Sequence, residues 1–334
     1  MNIKAIASAL PEWVVDNPTI QQWSGLELDL LDNKIGVKER RFLKHDQTGV
    51  DLVLEAATKL KIEHPDFDPA QIRLLIVITQ TPDYKLPHSS AVLQGRLGLS
   101  NSTACFDVSL GCSGYVYGLS IAKGLMLSEG LEEALLVTCD PYSKIMRREN
   151  RDVIGLFGDA ATVTWLHPNG TGKIGSCDFG TDGNSYQHLI IKAGGGAYPH
   201  QHLDGFEAAP PTAEENSLHM NGRGIFNFMI KRVPATIDAC LKKNKLTREN
   251  IDYFVFHQAS RFLLETLCGR LGLPPEKVPD ALEKTGNTVS SSIPLVLQAM
   301  MTAGKCGNAR VLTSGFGVGL SWATNIVTFG DPHE

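Results

Sequence analysis

The sequence has no CxxC pair. Its seven cysteines, at positions 105, 112, 139, 177, 240, 268 and 306, are odd in number and scattered. That excludes a disulfide framework and a structural zinc site, and it fits a reduced, cytoplasmic compartment. Long apolar runs are missing too, so no membrane partner is expected. The opening Met1-Asn-Ile-Lys-Ala-Ile lacks the basic region and longer apolar stretch of a signal peptide. Positive charge is not in excess: 31 Lys and Arg stand against 36 Asp and Glu, for a formal net charge of -5. A nucleic-acid partner, which needs a basic field, is therefore not expected. Basic residues cluster only locally, at Lys38-Glu-Arg-Arg41 and from Lys144 to Arg151. Such runs are either solvated faces or patches that receive phosphate groups or an acidic carrier protein.

What is present is ordinary globular composition, with 43% hydrophobic and 20% charged residues over 334 positions. That is enough for one large core or two fused smaller ones. Strand-like and helix-like segments alternate, the pattern of an α/β fold with parallel pairing. Leu74-Leu-Ile-Val-Ile-Thr79, Leu135-Leu-Val-Thr138 and Tyr253-Phe-Val-Phe256 read as strands buried on both faces. Helical periodicity runs through Gly114 to Ser128 and Ile293 to Ala303.

A weak internal repeat organises these segments. Ile72-Arg-Leu-Leu-Ile-Val leads to a turn at Gly111-Cys-Ser-Gly114, then a helix, then the strand at Leu135. Ile251-Asp-Tyr-Phe-Val-Phe leads likewise to Gly286-Asn-Thr-Val-Ser-Ser, then a helix, then Arg310-Val-Leu-Thr313. Two copies of one α/β unit are the expected architecture, with halves at 1–170 and 171–334. The repeat puts Cys112 and Asn287 at equivalent helix starts. Between the halves, Ala193 to Asn216 is rich in Gly, Pro and His, and a loop of that length is a candidate cover for a site. His200 and His202 have no ligand-spaced partners, so no metal site is expected.

Three residues are candidates for chemistry. Cys112 lies between an apolar strand and an amphipathic helix, in Asp107-Val-Ser-Leu-Gly-Cys-Ser-Gly114. A helix start lowers a thiol pKa toward the reactive thiolate, though a small residue filling a crowded turn reads the same way. His257 ends the strand Phe254-Val-Phe, where open α/β sheets bind ligands; a structural histidine is the alternative. Asn287, after Gly286, is by itself a common turn residue.

Together and in this order, the three resemble the Cys–His–Asn triad of the β-ketoacyl-acyl-carrier-protein synthase III family. Gly36-Val-Lys-Glu-Arg40, Leu156-Phe-Gly-Asp-Ala160, His257-Gln-Ala259, Gly286-Asn287 and Gly315-Phe-Gly-Val-Gly-Leu-Ser-Trp322 resemble further family motifs, so the resemblance spans nearly the whole chain. Elongating synthases carry Cys–His–His and thiolases a second cysteine. Plant-type polyketide synthases share the triad on longer chains with a different glycine-rich loop. The resemblance implies a thiolase fold, two pseudo-duplicated α/β halves in a five-layered αβαβα body, and a homodimer. It implies that Cys112 takes an acyl group from CoA or an acyl-carrier protein. A malonyl thioester then condenses with it by decarboxylation, and no metal or redox cofactor is involved. His257 and Asn287 would stabilise the enolate, and the backbone N–H groups of Cys112 and Val318 would form the oxyanion hole.

Binding residues implied by the same resemblance are Arg151, Lys34 and Ser260 for CoA or carrier, with Leu86 as the gate of the acyl pocket and His88 beside it at a surface or interface. Several positions depart from the family. Leu30 stands where a tryptophan stacks on adenine, Lys34 and Phe262 where arginines stand, and Ser260 where an asparagine closes the histidine motif. Leucine at the gate implies room for a primer longer than acetyl. Transfer of the acyl group from Cys112 to an oxygen or nitrogen nucleophile is the alternative activity, and a degenerate partner subunit is the non-enzymatic one.

Overall fold

The run Leu74-Leu-Ile-Val-Ile78 is buried at every position, because its two faces serve two different cores. Leu75 and Val77 pack toward one side, and Leu74, Ile76 and Ile78 toward the other. Side chains alternate across a strand, so a strand between two helix layers must be apolar throughout. The protein is seen here in a computed structural model that describes residues 1–199 and 210–330. His200, His202 and the middle of the long inter-half segment lie outside the described residues.

The first half comprises β1 (Asn2–Ala9), β2 (Trp13–Asp16), α1 (Asn17–Ser24), β3 (Glu39–Phe42), α2 (Gly49–Glu63) and β4 (Leu74–Ile78). It continues through α3 (Ser89–Arg96), β5 (Ala104–Val108), α4 (Gly114–Glu129), β6 (Ala134–Cys139) and β7 (Ala161–His167). The second half runs through β8 (Gly172–Ile174), β9 (Asp178–Thr181), the short pair β10 (Leu189–Ile190) and β11 (His219–Met220), and α5 (Gly222–Lys243). It closes with β12 (Tyr253–Phe256), α6 (Arg261–Leu271), α7 (Leu282–Thr285), α8 (Ser292–Thr302), β13 (Arg310–Gly317) and β14 (Ser321–Phe329).

The main sheet has the order β12-β13-β14-β8-β1-β7-β6-β4-β5, with β9 also on β14. β4 pairs parallel to β6, which pairs antiparallel to β7, and β7 antiparallel to β1. β12, β13, β14 and β8 repeat the same senses in the same order. The two half-sheets join through two residue pairs between β1 and β8. α2 covers the outer face of the first half, with Val53, Ala56 and Leu60 against Leu75, Val137 and Val163. α4 and α8 form the central layer, where Tyr115, Leu119, Ile293 and Leu297 share one core with strands of both halves. α5 and α6 cover the second half through Met229, Val233, Ile237 and Leu267. The layers are thus α, β, α, β, α, the thiolase fold.

Glycine lets α4 sit close to its sheet. A Cβ at Gly118 would stand 2.6 Å from Leu136 Cδ1, and one at Gly114 2.3 Å from Ile78 Cγ2. This close approach brings the turn before α4, with Cys112, to the end of β4 and β6. The expected equivalence of Cys112 and Asn287 is offset. Cys112 directly precedes Ser113, the N-cap of α4, whereas the turn Val289–Ser291 separates Asn287 from α8.

Candidate active site

Cys112 is buried, and the chain closes on it from the other half. A Cβ on Gly317 would lie 2.9 Å from Cys112 Sγ, and one on Gly315 2.5 Å from the Cys112 carbonyl oxygen. Only glycine fits at either place. Ser113 and Ser321 share a buried hydroxyl–hydroxyl hydrogen bond of 2.7 Å, and Ser321 Oγ donates to the Val318 carbonyl at 2.8 Å. The glycine-rich loop is thereby fastened beside the cysteine. The expected lowering of the Cys112 pKa is corrected. Burial pushes the thiol up, and the nearby Asp140 carboxylate pushes it further the same way. Desolvation of a full charge outweighs the partial charge of a helix start.

His257 follows β12 and is fully buried. Its Nδ1 lies 2.8 Å from Ser292 Oγ, the first residue of α8. Ser292 Oγ also donates to the Val289 carbonyl at 3.0 Å. Turned that way it accepts from Nδ1–H and leaves Nε2 bare; turned instead onto an unprotonated Nδ1 it leaves Nε2–H, so Nε2 is the working nitrogen in either tautomer. Burial pushes the His257 pKa down to about 3, opposed by the Val289 carbonyl. The resting pair is therefore a neutral thiol and a neutral imidazole.

Asn287 is positioned by backbone from the first half. Its N–H donates to the Leu156 carbonyl at 2.9 Å, and its carbonyl accepts from Gly158 N–H at 3.0 Å. These bonds form an isolated parallel bridge between Phe157 and Asn287. Gly286 has φ +65°, and a Cβ there would stand 2.9 Å from the Leu156 carbonyl oxygen. Asn287 Oδ1 accepts from Val289 N–H at 2.9 Å, which leaves the side-chain amide as a donor. Val289 has φ 53°. A β-branched residue in the left-handed region costs about 1–3 kcal/mol, so it persists only where its surroundings dictate it.

Cys112, His257 and Asn287 line one cavity of about 440 Å³. Its remaining walls are mostly apolar, among them Leu189, Met220, Ile225, Leu263 and Phe316. Phe226 and Phe262 form a stacked pair on the wall, with ring centroids 5.6 Å apart. Ser260 also lines it, but its hydroxyl caps α6 by accepting from Leu263 N–H.

The other predicted residues do not line this cavity. Lys34 is exposed on a π-helical turn, Leu30–Ile35. Leu30 itself packs on the small core of Val15, Ile20 and Leu31. Arg151 is exposed, donates to the Gly25 carbonyl at 3.3 Å, and borders a separate polar cavity with Arg147, Asn150 and His219. Leu86 is 88% exposed, and His88 caps α3 through Nδ1, which accepts from Ala91 N–H at 3.0 Å. Val318 follows Gly317 and packs against the core that contains Cys112.

Two further motifs have structural work. Arg40 is buried and donates to Asn17 Oδ1 at 2.7 Å and the Gly155 carbonyl at 2.8 Å. Asp159 accepts from Leu43 N–H at 2.8 Å and Ser143 N–H at 3.0 Å. Both hold the Leu156–Gly158 segment that carries Asn287. Sequence reasoning missed the roles of Ser292 and Val289, and the stacking of Phe226 on Phe262. The run Ser290-Ser-Ser292 before an apolar helix was the one available signal.

Comparison with known proteins agrees with this fold. Residues 106–183 match 3-Oxoacyl-[acyl-carrier-protein (ACP)] synthase III, and residues 241–329 match its C-terminal counterpart. The chain is 33% identical to Beta-ketoacyl-[acyl-carrier-protein] synthase III of Clostridioides difficile (strain 630), covering 98% of this chain and 99% of that one. A crystal structure of 3-oxoacyl-(acyl-carrier-protein) synthase III superposes with a TM-score of 0.90 at 39% identity, over 98% of this chain and 99% of that one. The Thermus thermophilus synthase III superposes at 0.87 with 30% identity, over 99% of this chain and all of that one. With fold and full-length similarity in agreement, the chain belongs to the 3-oxoacyl-[acyl-carrier-protein] synthase III family.

Proposed function

We infer that the protein is a decarboxylative condensing acyltransferase in which Cys112 is the acyl carrier. The observation that carries this reading is the cavity shared by Cys112, His257 and Asn287. In the first half-reaction, Cys112 Sγ–H passes its proton to His257 Nε2 as sulfur attacks the carbonyl of an acyl thioester. The bond to CoA or a carrier thiol breaks, and the leaving thiolate takes the proton. Backbone N–H groups of Cys112 and Val318 hold the oxyanion.

A malonyl thioester then enters. Its carbon–carboxylate bond breaks and carbon dioxide leaves; the enolate oxygen is held by the Asn287 amide N–H and by His257 Nε2–H, in the tautomer whose Nδ1 accepts from Ser292 Oγ. The enolate carbon attacks acyl-Cys112, and collapse of the adduct expels the Cys112 thiolate, which takes a proton from water. The product is a 3-oxoacyl thioester. The thioesters and the lost carbon dioxide supply the driving force.

The halves 1–170 and 171–334 supply nucleophile and enolate-binding pair respectively. An acyl-carrier protein delivers the acceptor, with Lys34, Arg151 and Ser260 on its approach. The assembly is a homodimer in the cytoplasm. Two features support the dimer: β5 ends the sheet as a half-exposed edge, which needs a cover, and the loop with Tyr84 and Leu86 projects its apolar side chains into solvent. In that dimer Leu86 reaches the partner's acyl pocket and leaves room for a primer longer than acetyl.

The test is to acylate the protein with a panel of acyl-CoA and acyl-carrier donors, locate the label by mass spectrometry, and add malonyl-carrier. Label on Cys112 followed by carbon dioxide and a 3-oxoacyl product is the expected result. Discharge only onto an alcohol or amine overturns the condensation, and transfer by Cys112→Ala overturns the covalent step.

A further inference from the structure

Asp140 is fully buried just beyond β6, beside Cys112, and the chemistry above does not use it. Its Oδ1 accepts from Gln80 N–H at 2.6 Å. Its Oδ2 accepts from Ser290 Oγ at 2.5 Å. Gln80 in turn receives Tyr142 Oη at 2.8 Å and abuts the turn before the nucleophile, since a Cβ on Gly111 would stand 2.4 Å from Gln80 Oε1. One carboxylate thus contacts the support of Cys112 on one side and the Asn287 turn on the other.

The Asn287 turn continues the pattern. Ser291 Oγ is 2.8 Å from Thr138 Oγ1 and also bonds the Thr138 and Ala160 carbonyls at 3.2 and 3.1 Å. Ser292 Oγ meets His257 Nδ1. Three consecutive hydroxyls therefore reach Asp140 just beyond β6, the adjoining ends of β6 and β7, and the imidazole. The left-handed Val289 immediately before them is the conformation this anchoring imposes.

We propose that Asp140 and the run Ser290–Ser292 form a positioning clamp that transfers the geometry of the first half-sheet to His257 and Asn287, holding both in register with Cys112. Burial raises Asp140 to about 6, and its bonds to Ser290 and Gln80 hold it down. An ionised acceptor makes those bonds shorter and stronger than a neutral one would. The clamp rests on the condensing reading for its kinetic readout, because enolate formation is the step that needs His257 and Asn287 together.

The test compares Ser290→Ala, Asp140→Asn and Ser290→Thr in the full-length protein, with the two half-reactions measured separately. Carbon dioxide release from malonyl-carrier is expected to fall at least tenfold more than acylation of Cys112 in the first two variants. Ser290→Thr, which keeps the hydroxyl, is expected to restore the ratio. Equal losses in both half-reactions, or no loss, overturn the clamp. Should Ser290→Ala fail to fold, Asp140→Asn, of nearly the same shape, decides alone by the same ratio. The ¹⁵N resonances of the His257 ring give a readout that needs no acceptor, and they are expected to move in both variants. Unmoved resonances overturn the clamp, whereas a wild-type protein that releases no carbon dioxide counts against condensation alone.

Discussion

A Cβ on Gly317 would lie 2.8 Å from the Cβ of Cys112 and 2.9 Å from its Sγ, so the glycine-rich loop touches Cys112 with no atom to spare. The Gly317→Ala variant must displace either the loop or the thiol. A displacement of about 1 Å costs about 100-fold in a positioned reaction. The acylation rate of Cys112 is expected to fall by about that factor, with the melting temperature little changed. Stopped-flow or quenched acylation with an acyl-CoA checks it, and a loss under fivefold would show that the loop has room to yield.

Neutral resting groups predict an unusual thiol profile. Burial raises the Cys112 pKa and lowers that of His257 to about 3, so no thiolate–imidazolium pair stabilises itself before substrate arrives. Alkylation of Cys112 by iodoacetamide at pH 7 is expected to be at least about tenfold slower than that of a free cysteine peptide, whose thiol titrates near 8.5. The rate should still be climbing above pH 9. A plateau extending down to pH 6 would mean that an ion pair already exists.

At the cavity wall, Phe262 and Phe226 present stacked rings rather than a cation. Phe262→Arg places a guanidinium there. One charge-assisted hydrogen bond is worth about 1.5 kcal/mol, roughly tenfold in binding. The KM for an acyl-CoA donor is expected to fall by about that factor with kcat held within twofold. Steady-state assays with CoA and carrier donors in parallel give the comparison, and an unchanged KM would place the anionic part of the donor elsewhere.

Asp159 offers a stability test with a definite sign. Burial raises its pKa to about 6, against the bonds from Ser143 and Leu43. Between the unfolded value of 3.8 and the folded value the native protein holds the extra proton, so this group's contribution is present at low pH and is lost as pH rises through 6. Asp159→Asn has no proton to lose. Its deficit relative to wild type is therefore expected to shrink by about 2 kcal/mol between pH 4.5 and 7.5, at about 1.4 kcal/mol per pKa unit. Urea unfolding at the two pH values measures it, and a widening gap would reverse the assignment.

Much of the architecture was legible in the residues. The apolar runs at Leu74, Leu135 and Tyr253 became strands, and the 3.6-residue pattern after Gly114 became α4. The repeat was visible because both halves use the same order of strand, turn and helix. The candidate triad stood out only in combination, since a cysteine, a histidine or an asparagine alone has a bland local explanation. What escaped depends on tertiary placement. A left-handed valine has no sequence signature, because local preference argues against it. The thiol pKa depends on how deeply the second half covers Cys112, which no local motif states. Arg151, which resembles the family's residue, and Lys34, which replaces an arginine, both stand away from the cavity wall.

The backbone bridge between Phe157 and Asn287 makes the reaction centre a seam. The residues it joins come from opposite halves, which share the central core of Tyr115, Leu119, Ile293 and Leu297. A small displacement at the bridge is therefore expected to silence turnover before helix and sheet are lost.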